Sequence, residues 1–267
     1  MDTGTFLQVV YKLETLSDIK NICKTNKQYF FMCKNNIDYI FKKLVLKYDL
    51  RNNLQFLNFN KPVSDYTILK TYFKDFYYKK EVNCGRSNLK SLPKLPNVEK
   101  LFCSVNRLKT LPMYPKLKQL ICESNQLTLL QEYPELEELN CCNNKLTTLP
   151  MYPELKKFEC TSNKISILPM YPKLIKLYCY HNQLTTLPMY PELKNLNCSS
   201  NRITSLLMYP KLIELDCSSN EITILPMYPE LISLYCQHNQ LTTLPKYPKL
   251  RALLCHANLF DCQKMFL

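Results

Sequence analysis

With 267 residues, 46% of them hydrophobic, the chain is long and apolar enough for two parts around a buried core. Its formal charge of +13 is spread along the chain, and only five of the 35 basic residues are Arg, the side chain suited to bidentate phosphate or base contact, which argues against specific nucleic-acid recognition. Two glycines, Gly4 and Gly85, are too few for the loops that cradle nucleotide phosphates.

The start, Met1-Asp2-Thr3-Gly4-Thr5, has neither the basic nor the apolar segment of a secretory leader. No apolar run approaches the roughly 20 residues that a membrane helix needs. The 14 cysteines therefore read as thiols of an intracellular, reducing setting and not as a disulfide framework. Residues 1–50 show helical spacing. Phe6, Val9, Val10, Leu13 and Leu16 lead, Ile19, Ile22 and Cys23 follow a Ser17-Asp18 cap, and a third segment from Ile37 to about Tyr48 buries Ile40, Phe41 and Leu44. The pattern Leu16-x-Asp18-Ile19, Thr25-Asn26-Lys27-x-Tyr29 and Ile40-Phe41-Lys42-x-Leu44 resembles the F-box motif. That resemblance implies docking on the Skp-type adaptor of cullin–RING ubiquitin ligases. The same helices also suit a cap that seals the apolar end of a repeat array, and both readings stay open. Residues 51–82 form an aromatic junction, with Phe56, Phe59, Tyr66, Tyr72, Phe73, Phe76, Tyr77 and Tyr78 around Pro62, expected to pack the helices onto the first strand.

From Cys84 onward the chain repeats. Asn106, Asn125, Asn144, Asn163, Asn182, Asn201, Asn220, Asn239 and Asn258 recur every 19 residues, each with a Cys three positions earlier, and Cys84 opens the series with Ser87 in the Asn place. A fixed short period predicts a solenoid. The unit L-x-x-L-x-C-x-x-N-x-L-T-x-L-P-x-Y-P-x resembles the leucine-rich repeat family. Its short period and Leu-Pro-x-Tyr-Pro segment are most similar to the short-repeat effectors of Yersinia and Shigella and to leucine-rich repeat proteins of giant DNA viruses such as mimivirus. The Lys-, Asn- and Tyr-rich composition favours the viral group, which implies a host cytoplasm. The expected fold is α+β: a helical cap over residues 1–50, a junction over 51–82, a 19-residue leucine-rich repeat solenoid with a parallel β-sheet and a polyproline-like convex side over 83–260, and a short cap over 261–267. Unlike the ubiquitin-ligase members of the bacterial group, this sequence carries no catalytic domain after its last repeat, so no enzymatic activity is expected.

Within a unit, Leu120 and Cys122 are expected inward on a short strand, with Gln119, Ile121 and Glu123 outward. The Asn amide is read as satisfying backbone groups at the turn that follows. After strand and turns too few residues remain for a helix, and the Pro-rich run suits an extended convex side. Gln131 and Leu207, which replace the first Pro in two units, predict local adjustment. The Cys column reads as core, except that Cys142 beside Cys141 falls outward as an exposed thiol. The Tyr column, Tyr114 to Tyr247, reads as a stacked ridge.

Function is sought where the repeat departs from its own rule, on the outward strand positions. Tyr178, Tyr180 and His181 fall together; Tyr235 and His238 lie three units on, with Glu214 and Asp216 between them and Glu159 just before. Aromatics flanking acids suit a protein or peptide ligand. His181 and His238 are 57 residues apart, roughly 14 Å along the sheet, too far to share a metal. His256 is outward and Cys255 inward, so they make no nucleophilic pair. Neither cofactor nor metal is expected. Two functions remain: a protein-interaction scaffold with its ligand on the concave sheet face, and a substrate receptor for a host ubiquitin ligase. The scant cover over the last strand leaves self-association through the C-terminal end open.

Overall fold

The structure, a computed structural model, describes residues 45–53, 55, 57, 71, 72 and 75–260. The F-box-like positions Asp18, Lys27, Tyr29, Ile40, Phe41 and Leu44, most of the expected helical cap, much of the junction and the C-terminal cap over 261–267 lie outside the described residues. The chain divides into two compact units, Met1–Val82 with Ser91–Val98, and Asn83–Lys90 with Glu99–Leu267.

In the first unit the junction aromatics form a core. The rings of Tyr48 and Tyr72 lie 5.1 Å apart, and Tyr77 meets each of them edge-on at 5.9 Å. All three are buried, and each buried ring contributes apolar area that a two-residue contact could not. The cluster also holds the first Leu-Pro segment. The Tyr72 hydroxyl donates to the Lys94 carbonyl at 2.5 Å, Lys94 N–H donates to the Tyr48 carbonyl, and Asn97 Nδ2 donates to the Tyr77 carbonyl at 3.0 Å. Leu92, Leu95 and Val98 are thereby buried.

The repeats form a parallel sheet of ten strands in sequence order. The strands are β1 (Glu81–Asn83), β2 (Lys100–Phe102), β3 (Gln119–Ile121), β4 (Glu138–Asn140), β5 (Lys157–Glu159), β6 (Lys176–Tyr178), β7 (Asn195–Asn197), β8 (Glu214–Asp216), β9 (Ser233–Tyr235) and β10 (Ala252–Leu254). Register is a shift of one unit throughout: Leu120 pairs with Leu101 and with Leu139, and the same holds down the sheet. The middle residue of each strand is buried from β1 to β9, while its neighbours face out; Val82 takes the Leu place in β1, as expected. Among the described residues there is very little helix: α-helical residues at 45–47, 71, 72 and 75 and a 3-10 turn at Arg51–Asn53. No described helix is long and apolar enough to cross a membrane.

The Asn ladder does more than satisfy its own turn. Asn144 Nδ2 donates to the carbonyls of Cys141 and Cys142 in its own unit and of Cys122 in the preceding one, all at 3.1 Å, while its Oδ1 accepts from Leu127 N–H of the preceding unit at 3.0 Å. Asn125, Asn163, Asn182, Asn201, Asn220, Asn239 and Asn258 repeat the set. Each amide is thus a four-way rivet between consecutive turns. At the N-terminal end Asn106 Oδ1 accepts from both Ser87 N–H and Leu89 N–H, so Ser87 fills a turn with no ladder amide of its own.

A second constraint lies one residue before each Asn. Arg86, Val105, Ser124, Asn143, Ser162, His181, Ser200, Ser219, His238 and Ala257 all have φ between 53° and 56°. The chain must reverse sharply after the Cys, and the left-handed region does this in one residue. Glycine would do so without strain, but Asn and His tolerate it better than most and Val tolerates it poorly.

Opposite the sheet, the Tyr column is interior. Rings from Tyr114 to Tyr228 have no exposed area and stack 6.2–6.4 Å apart with interplanar angles of 5–18°. Each hydroxyl from Tyr133 onward donates to the carbonyl 21 residues earlier, as Tyr171 does to Pro150 at 3.2 Å. The Pro-rich run has few N–H groups of its own, so the phenol supplies the missing donor. Gln131 and Leu207 require no adjustment, contrary to expectation: Tyr152 and Tyr228 donate to their carbonyls at 3.1 Å as elsewhere, because the bond is to backbone. Turns advance farther on the Tyr side than the about 4.8 Å of paired strands, which makes the sheet face concave.

Two stability predictions follow from these ladders. Replacing Asn144 with Ala leaves Leu127 N–H without a partner and takes one donor from the carbonyls of Cys122, Cys141 and Cys142, which keep those of Asn125, Asn163 and Ser124, and is expected to cost about 2 kcal/mol in urea unfolding; Asn144→Asp, which sets a carboxylate against three carbonyl oxygens, is expected to cost at least as much. Conversely Val105→Asn, at an exposed left-handed position held by a β-branched residue, is expected to stabilise by about 1 kcal/mol; a fall in thermal midpoint would contradict the strain argument.

Candidate functional site

The outward sheet face is where side chains are free of the ladders. Tyr178 from β6, Asn195 and Asn197 from β7, Glu214 and Asp216 from β8, and Ser233 and Tyr235 from β9 line one depression of about 260 Å³, floored by Leu196 and Leu215. Four of the eight residues picked out by the sequence, Tyr178, Glu214, Asp216 and Tyr235, therefore share a lining. Alternation explains this: the first and third residue of every strand point outward, and consecutive turns set them side by side.

The other four lie apart from that lining. Tyr180 packs edge-on against His181 at 5.5 Å. His181 and His238 occupy left-handed turn positions, so their presence has a conformational reason independent of binding. Glu159 accepts from Asn140 Nδ2 at 3.2 Å on β4. His238 meets His256 of the next turn edge-on at 5.2 Å, a pairing that single-column reading missed. Among the described residues no group of three His, Cys, Asp or Glu is placed to hold a metal.

The acids of the depression are held by amides. Asn195 Nδ2 donates to Glu214 Oε2 at 2.6 Å and Asn197 Nδ2 to Asp216 Oδ2 at 3.2 Å. Asp216 Oδ1 also accepts from Ser218 N–H at 3.1 Å and Oγ at 2.7 Å. The Lys176 ammonium sits 4.3 Å from the centre of the Tyr178 ring, and its hydrogen bond to Tyr178 raises its pKa, with Glu159 and Glu214 adding to the effect. The sequence reading overlooked Asn195, Asn197 and Ser233, because polar residues of ordinary type carry no signal until their neighbours across the sheet are known.

Other regular charges pair among themselves. Lys173 with Glu154, Lys211 with Glu192 and Lys249 with Glu230 meet at 2.6 Å, one unit apart. These half-exposed pairs are worth under about 1 kcal/mol each and describe a solvated face.

The cysteines are interior thiols. Cys103 to Cys236 are buried, and desolvation pushes their pKa values up, to about 12 for Cys236 and for the less buried Cys84. Cys142 corrects the sequence reading: with 9% exposure it is nearly covered, its pKa raised by burial and eased by hydrogen bonds with Thr161 of the next turn. Cys255, at the end of the column, departs from the all-thiol expectation in being disulfide-bonded. The Tyr column, its phenols also pushed up by burial, has no exposed face for nucleic-acid stacking.

No protein-family model matches the chain, and no curated protein matches it significantly. Solved structures do. YopM, a leucine-rich effector protein from Yersinia pestis, is 33% identical over 67% of this chain and 55% of its own, with a TM-score of 0.64. The LRIM1/APL1C complex matches 67% of this chain and 44% of its own at 21% identity and TM-score 0.57. The Toll–Spätzle complex of Drosophila matches 64% of this chain and 29% of its own at 23% identity and TM-score 0.52. The last two show the fold alone. The fold is thus a leucine-rich repeat solenoid, and the chain spans just over half the length of the YopM structures it matches.

Buried thiols and phenols make stability fall in alkali. A Cys with an ordinary pKa of 9.0 ionises in the unfolded chain above that pH, while folded Cys84 and Cys236 stay protonated to about 12. The folded state then binds more protons than the unfolded, and unfolding free energy drops as pH rises. Urea midpoints should be flat from pH 7 to about 8.5 and decline steadily from pH 9 to 11; a flat profile across pH 9–11 would contradict the buried-thiol reading.

Proposed function

We propose that the chain is a non-enzymatic protein-interaction scaffold that binds a protein ligand on the concave face of its sheet. The observation that carries this reading is the depression between Tyr178 and Tyr235, to which four consecutive turns contribute outward side chains. The inward positions, the Asn amides and the Tyr rings are spent on stacking. Aromatic walls with a few placed polar groups suit a protein anchor. The structural neighbours support the same reading, since two of them are known as complexes, LRIM1/APL1C and Toll–Spätzle. The binding set is Tyr178, Glu214, Asp216 and Tyr235, with Tyr180, His181, His238 and Glu159 at its margins. The resemblance of the repeat to those of giant-virus proteins supports the further proposal of a partner in a host cytoplasm. A ligase-receptor role for residues 1–50 rests on their F-box-like pattern alone, and the scaffold reading does not depend on it.

The test is a comparison of two faces. Photo-crosslinking from position 178 in the full chain identifies the partner, and surface plasmon resonance then measures it against variants. Changing Tyr178 and Tyr180 to Ala is expected to weaken binding at least about tenfold while the thermal midpoint stays within about 2 °C, and changing the exposed Met151 and Met189 of the opposite side to Ala to leave affinity unchanged. Equal affinity for all three proteins would overturn the concave-face assignment.

A further inference from the structure

Resting on that reading, we infer the chemistry of the partner: the depression between Tyr178 and Tyr235 takes an arginine side chain carried on an extended segment of the partner protein. The argument is a balance of donors and acceptors. One N–H of each amide lining the depression is committed to an acid, Asn195 Nδ2 to Glu214 and Asn197 Nδ2 to Asp216. Asn197 Oδ1 is likewise taken, by Ser199 N–H at 3.1 Å and Ser199 Oγ at 2.7 Å. The two carboxylates keep open acceptor positions and are the charged groups of the lining. The depression therefore offers a ligand two oriented anions and no cation.

Charge points the same way. Among the described residues no Lys or Arg forms an ion pair with Glu214 or Asp216, and β8 is the only strand of the sheet with both outward positions acidic. The amides orient these carboxylates without neutralising them. A neutral or acidic ligand covering them would strip their water and leave charge unpaired, at a cost of several kcal/mol. A cation repays that desolvation. On a chain of formal charge +13, this is a local acidic spot in a basic surround, which selects one cationic side chain and disfavours a long basic tract.

The walls choose between cations. Tyr178 already carries a cation over its ring, the Lys176 ammonium at 4.3 Å, and Tyr235 is 41% exposed with its ring open to the depression. A guanidinium stacks flat on such a ring and presents five donors in a fixed fork, which suits acceptors spread over two strands; an ammonium does so less well. The two walls stand three strands apart, roughly 14 Å at the backbone, leaving room for the side chain and for the main chain that bears it.

The test pans a random peptide library displayed on phage against the full chain, then remeasures the selected peptides as synthetic ligands by calorimetry. Expected are peptides sharing an Arg, losing roughly tenfold or more in affinity on Glu214→Gln/Asp216→Asn and a similar factor when that Arg is replaced by its neutral isostere citrulline. Lys in its place should bind more weakly than Arg, and Glu138→Gln, which removes an outward acid of β4 away from the depression, should change nothing. The citrulline arm reads the charge from the ligand side, so it stands even where the double variant is unstable. Peptides that depend on Tyr178 and Tyr235 but carry no essential basic residue would overturn this inference and leave the scaffold reading intact. Peptides indifferent to every outward-face variant would overturn both. An equal loss on Glu138→Gln would reduce the effect to general attraction and overturn the site.

Discussion

The structure depends on a single side-chain amide per turn. A 19-residue turn has a three-residue strand, and the rest of its backbone has few regular partners, so carbonyls and N–H groups around the Cys would be left unpaired in a dry interior. The Asn amide answers all of them at once, with its Nδ2 shared among three carbonyls and its Oδ1 reaching back to the preceding turn. Because two of those contacts cross to the neighbour, the amide fixes the offset between turns as well as the bend within one. The stack is then cooperative by construction, each turn completing the hydrogen bonds of the one before. The tyrosine hydroxyls do the same on the far side, where proline has removed the N–H groups that a regular structure would use.

These two ladders explain why the interior can be so rich in groups that are usually reactive. Thiols from Cys103 to Cys236 and phenols from Tyr133 to Tyr228 lie in an environment that raises their pKa values, so they behave as small apolar residues and as neutral donors. Periodic burial removes the reactivity that a column of Cys suggests when read without its surroundings. The same holds for the histidines: His181 and His238 stand at positions where the backbone requires φ near 55°, which is a reason for their residue type that has nothing to do with proton transfer.

How much of this could be read from the sequence follows from the physics of each feature. The period itself, the inward Leu and Cys, the extended Pro-rich side and the count of ten strands are consequences of one repeating pattern, and repetition makes that pattern unmistakable. The left-handed residue before each Asn was hidden because Val105, Ser124, His181 and Ala257 share no chemistry, only a position. Cys142 was misjudged because an outward direction was equated with exposure, whereas Thr161 of the next turn covers it. The adjustment expected at Gln131 and Leu207 did not occur because the tyrosine bonds to a carbonyl that every residue possesses. Four of the nine residues that line the depression, Tyr178, Glu214, Asp216 and Tyr235, were legible as broken periodicity. The amides Asn195 and Asn197 were not, since their importance lies in what they hold across the sheet and not in what they are.

A ladder architecture also decides where specificity can evolve. Substitutions at the Asn, Cys, Leu or Tyr columns disturb contacts in two turns, so those columns are kept uniform by stability alone. The first and third strand residues touch only their lateral neighbours and solvent, and can change singly. Binding chemistry therefore has to be assembled sideways, one residue per turn, which is how Tyr178, Glu214, Asp216 and Tyr235 come to share a depression although they span 58 residues. The amides between them matter for the same reason. An acid on an open sheet would otherwise swing freely, and an Asn one turn away is the shortest available means of holding it in place. Such pairs restrain a charge without cancelling it, leaving the carboxylate oriented and unneutralised, the state in which a partner's cation gains most from meeting it.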